Sequence, residues 1–163
     1  MEEEIDELWK RGELSGDALE FELRKRGLRV AGVDEDARPE YRVWVHSKIC
    51  NFIPEIAAVV THCFSEPGFK VGFHEVPMGY TEEGEDAWDR VAYVWHVDIT
   101  AESFRELMEK IKKFYNLLPR LEEEYEKLYN LAKHEIEITG RDVATVLKSL
   151  TVKRTRQCTL LDF

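Results

Sequence analysis

Gln157, Leu160 and Phe163 recur at every third position near the C-terminal end. One tight helical turn puts Leu160 and Phe163 on one side as two apolar prongs. The Gln157 amide both donates and accepts, which suits a small polar pocket beside them. The chemistry is recognition: a short segment that orders on a partner's surface. An apolar Leu-Leu-Asp-Phe end has nothing of its own to bury against, so a flexible tail over 153–163 is expected. Lys153, Arg154 and Arg156 flank the segment and supply charge that speeds encounter with an acidic surface.

This segment resembles a PIP box, the peptide by which replication and repair proteins dock on the sliding clamp PCNA. That pattern is Gln, two residues, Leu/Ile/Met, two residues, then one or two aromatics. Gln157, Leu160 and Phe163 match it, and Thr159 is a frequent companion in archaeal versions. The sequence stops at Phe163, so the second aromatic of the longer form is absent, as in shortened archaeal boxes. The resemblance covers seven residues and implies one partner, the clamp, for a DNA replication or repair accessory protein. A second replication or repair factor would then be the cargo of the globular body.

Other chemistry-bearing residues fall on strands. His46, His74 and His96, with Asp98, supply donors suited to zinc. They lack close HxH or HxxxH spacing, so the reading is separate strand histidines and no bound metal. Trp44, Tyr93 and Trp95 are the rings that could stack single-stranded bases, with Arg42 and Lys70 on the backbone. Alternation puts Tyr93 and Trp95 with Val91, Val97 and Ile99, the core side. Glu82, Glu83, Glu85, Asp86 and Asp89 form an acidic loop without the order of a calcium loop. There is no phosphate-cradling glycine loop and no nucleophile elbow, so neither an enzyme nor a cofactor is expected. The alternative is a single-stranded nucleic-acid-binding or metal-dependent nucleic-acid-processing domain tethered to the clamp.

The elements that carry these residues follow from periodicity. Ile5, Leu8 and Trp9, then Leu19 and Leu23, give two short helices, the second capped by Ser15 or Asp17 and closed by Gly27. The spacing predicts an N-terminal helical hairpin over 1–34, either an interaction module or a lid, and a linker over 31–39. An α+β main domain over 41–152 follows. It has a strand at 41–46, a helix capped by Ser47, strands at 69–76 and 90–99, and a long helix capped by Thr100. Pro119 should kink or split that helix. Glu135–Ile138 reads as a short strand, and Thr139 or Gly140 opens a last helix through Val143, Val146, Leu147 and Leu150. The order β-α-β-β-α-(β)-α predicts an antiparallel sheet with helices on one face, similar to a ferredoxin-like sandwich. Leu121, Tyr125, Leu128 and Leu131 form a stripe that serves a homodimer seam or internal packing.

The chain's 163 residues suffice for one domain with a core. Its 33 acidic and 23 basic residues give a net charge of −10, which opposes broad contact with a phosphate backbone. Two basic clusters, Arg24, Lys25, Arg26 and Arg29, and Lys148 with the tail cations, read as solvated faces. Cys50, Cys63 and Cys158 lack metal spacing; their odd number implies reduced thiols, with Cys50 and Cys63 as apolar filler on a helix. No apolar run approaches membrane-spanning length and no signal peptide is seen, so a soluble cytoplasmic protein is expected. A single Gln and abundant Glu, Lys and Arg are consistent with a thermophilic source.

Overall fold

Alternation of Tyr41, Val43 and Val45 with Arg42, Trp44 and His46 makes a strand with one buried and one half-buried side. The computed structural model describes residues 2–49, 52–77, 79, 82–85, 91–142, 145, 146 and 148. Within them the chain is an α+β protein whose four strands form an antiparallel sheet. The elements are α1 (Glu2–Lys10), α2 (Gly16–Lys25), β1 (Gly32–Val33), a 3-10 turn (Glu35–Ala37), β2 (Tyr41–Lys48), α3 (Pro54–Phe64), β3 (Phe69–Pro77), β4 (Val91–Ala101) and α4 (Phe104–Thr139). Strand order is β1-β2-β4-β3.

The fourth strand differs from expectation. Glu135–Ile138 continues α4, and Gly140, with φ of 66°, terminates the helix by donating to the Ile136 carbonyl. The place beside β2 is taken instead by β1, which pairs Gly32 with Trp44 and Val33 with Val43. Pro119 does not split α4, because Phe114 and Leu121, both fully buried, hold the helix on either side of it. The α4 cap is Ser103, whose hydroxyl accepts from the Glu106 N–H, and Thr100 belongs to β4. The helix expected from Ser47 begins only at Pro54, a residue favoured in the first turn. Beyond Gly140, Asp142 accepts from the Thr145 N–H as a cap of its own. Val143, Leu147 and Leu150 lie outside the described residues.

The chain divides into two compact units, 1–47 with 66–70 and 95–116, and 48–65 with 71–94 and 117–163. In the first unit Trp9, Leu19, Leu23, Tyr41, Val43, Val45, Trp95, Val97, Ile99, Phe104, Leu107, Ile111 and Phe114 form the core. The N-terminal helices are part of it. Trp9 is fully buried, stacks on Tyr41 at 5.3 Å and donates to the Glu40 carbonyl at 2.8 Å. Asp6 accepts from the Tyr41 hydroxyl at 2.6 Å and from the Phe104 N–H at 2.9 Å, so one carboxylate ties α1, β2 and the start of α4. Burial and that carboxylate push the Tyr41 phenol well above its ordinary range.

In the second unit Ile56, Val60, Phe64, Leu121, Tyr125 and Leu128 are buried. The Ile53 N–H at the head of α3 donates to the Tyr125 hydroxyl at 2.6 Å. Leu121, Tyr125 and Leu128 are thus internal, while Leu131 is 52% exposed. Cys63 is disulfide-bonded, so it is not the free apolar thiol expected; an odd cysteine count requires only that one thiol be left over. Cys50 and Cys158 lie outside the described residues.

Candidate functional site

The residues of the expected docking segment, Gln157, Thr159, Leu160 and Phe163, lie outside the described residues, as do Lys153, Arg154 and Arg156. Among the described residues, the group that concentrates polar chemistry is the half-buried face of β2 and β4 in the first unit. Alternation puts Arg42, Trp44 and His46 on that side of β2, and His96 and Asp98 on that side of β4.

The Arg42 guanidinium forms a fork on the Asp98 carboxylate, with bonds of 3.2 and 2.8 Å, and lies 3.5 Å from Asp34. Asp98, and secondarily Asp34, raise the Arg42 pKa further, so its charge is permanent. Next along the face, His46 Nε2 and His96 Nδ1 are 2.9 Å apart. Their ring centres are 5.0 Å apart. That separation exceeds the nitrogen separation by nearly two ring radii, so each nitrogen is aimed at the other. Two ligands of one metal would instead aim at a third point, about 2.0–2.1 Å from each. The arrangement is a hydrogen bond between imidazoles. Among the described residues no group of three or more His, Cys, Asp or Glu is arranged to hold a metal. His74, the third strand histidine named from the sequence, is an exposed residue of β3 in the second unit.

The three candidate stacking rings have partners within the chain. Trp44 lies over Gly32 of β1; a Cβ there would come within 2.9 Å of the indole. The Arg42 guanidinium lies 5.4 Å from the Trp44 ring centre. An aromatic over an edge-strand glycine shields the bare backbone and pins the register, which is a structural role for Trp44. Tyr93 stacks on Phe52 at 4.1 Å with the planes 9° apart, and Phe73 meets the same Phe52. Trp95 is buried at 1% exposure, on the opposite side of β4 from His96 and Asp98. Sequence alternation located Trp95; nothing in it reveals that Phe52 covers Tyr93 or that Gly32 accepts Trp44.

Three of the four residues of the N-terminal basic cluster, Arg24, Lys25 and Arg26, are paired with carboxylates of α2. Arg24 meets Glu20, and Lys25 and Arg26 both meet Glu22, whose carboxyl Arg26 and then Lys25 hold below the ordinary range. Glu82, Glu83 and Glu85 are exposed, and Asp86 and Asp89 lie outside the described residues. Among the described residues no helix is long and apolar enough to cross a membrane. Comparison with family models, curated proteins and solved structures finds no match for this chain.

Proposed function

We propose that this protein is an accessory or regulatory factor of DNA replication or repair that binds the PCNA sliding clamp through Gln157, Thr159, Leu160 and Phe163. The observation that carries the reading is the Gln157-x-x-Leu160-x-x-Phe163 spacing, with Thr159 before the leucine. In this reading 153–163 is a free tail that orders on the clamp. Leu160 and Phe163 fill an apolar pocket, and Gln157 fills a polar one beside it. Lys153, Arg154 and Arg156 steer the encounter. The body, with its N-terminal helices, presents a second replication or repair protein to the clamp.

The test is calorimetric titration of the clamp with the wild-type chain and with Phe163→Ala and Leu160→Ala. Removing an aromatic anchor costs about 2–4 kcal/mol, a loss of roughly 30- to 1000-fold in affinity. Equal affinity of the wild type and Phe163→Ala sinks the proposal. The competing reading, a single-strand-binding sheet, is weakened by the engagement of Trp44, Tyr93 and Trp95 within the chain. Tight single-stranded DNA binding that falls steeply with salt would restore it.

A further inference from the structure

His46 and His96 lie outside the segment proposed to dock on the clamp. A hydrogen bond between imidazoles needs one N–H and one lone pair. Two neutral rings provide that. One added proton also provides it, with the bond now charge-assisted and stronger. Two added protons remove the lone pair and set N–H against N–H across a 2.9 Å gap. We propose that His46 and His96 form a proton-sharing clasp between β2 and β4 that closes with no added proton or one and opens on the second, making this sheet face acid-sensitive.

Charges of both signs share this sheet face. Arg42 on β2, Asp98 on β4 and Asp34 after β1 form a closed cluster that carries one net negative charge. Lys48, also on β2, is exposed at the strand end, and Lys70 is exposed on β3, the strand next to β4. The second proton meets the charge of the first across the 2.9 Å contact. β2 and β4 are neighbours in one hydrogen-bonded sheet, which sets the two histidine backbones side by side.

The test uses the full chain labelled with nitrogen-15 at histidine. At pH 7.5 a scalar coupling across the hydrogen bond should join one nitrogen of each ring. On acidification the pair should take up protons in two steps separated by more than about one pH unit, a tenfold change in proton affinity. The coupling should survive the first step and vanish at the second. In His46→Gln or His96→Gln the remaining ring should titrate in one step. Absence of the coupling at pH 7.5, or protonation of both rings in one step near the ordinary histidine value of about 6.5, overturns the proposal. The wild-type spectra alone decide these outcomes if either variant fails to fold.

Discussion

Replacing Trp9 with alanine is the most direct probe of the first unit. The indole is fully buried, stacked on Tyr41 with ring planes 14° apart, bonded to the Glu40 carbonyl, and covered by the Arg38 guanidinium at 4.3 Å. Deleting a buried tryptophan side chain costs about 3–5 kcal/mol. Within that sum the aromatic pair contributes about 1 kcal/mol and the indole hydrogen bond another ~1 kcal/mol. Trp9→Phe keeps most of the stacking and loses the bond and some volume, so it should cost about 1–2 kcal/mol. Domains of this kind have about 5–15 kcal/mol in hand. Trp9→Ala should therefore move the urea midpoint by a large fraction of its value, while Trp9→Phe moves it modestly. Urea titration by circular dichroism and tryptophan fluorescence measures both. If Trp9→Ala costs less than about 1 kcal/mol, or no more than Trp9→Phe, α1 is a detachable module and the packing argument fails.

Burial holds the Tyr41, Tyr115 and Tyr125 phenols protonated above the ordinary range. Their contribution to stability is therefore complete below about pH 10, where free tyrosine ionises, and is lost as pH rises beyond it because the unfolded chain releases protons that the folded chain keeps. Thermal melts between pH 8 and 11 should fall accordingly, and less steeply in Tyr41→Phe; an unchanged slope refutes the assignment to Tyr41. Gly32→Ala, which drives a methyl into the Trp44 ring, should cost about 1–3 kcal/mol. In Trp44→Ala the same change should cost markedly less, and a double-mutant cycle with no coupling would break the pinning argument. Arg42→Met should cost only ~1 kcal/mol, because the guanidinium is 42% exposed, and the difference should shrink in high salt.

Where one residue's neighbours in sequence decide its state, the sequence was legible. The alternation of β2 and β4, the Ser15 cap and the Gly27 turn of α2 are all local. The errors arise where distant contacts override local preference. Pro119 reads as a break, but Phe114 and Leu121 hold the helix through it. Glu-Ile-Glu-Ile alternates like a strand, but it continues an established helix at little cost. The two-residue β1 sits in a stretch with linker-like composition and is fixed by the Trp44 indole, a contact that no periodicity encodes. Of the candidate residues, His46 and His96 were named from their strands, but their direct bond depends on a cross-strand register that sequence leaves open.

The short reach between Gly32 and Trp44 also sets an order of events during folding. They are about a dozen residues apart, and loops of roughly that length close in about 10–100 ns. Asp6 meets the Phe104 N–H across 98 residues, and Arg42 meets Asp98 across 56. A chain emerging from the ribosome can therefore form α1, α2 and the β1–β2 pair long before 95–116 exists. During that interval Val43, Val45 and Tyr41 have only Trp9 and the two small helices to cover them, and the inner edge of β2 has no β4. The nascent protein thus carries an open strand edge beside half a core for several seconds at ordinary synthesis rates, the period in which it is most prone to aggregate.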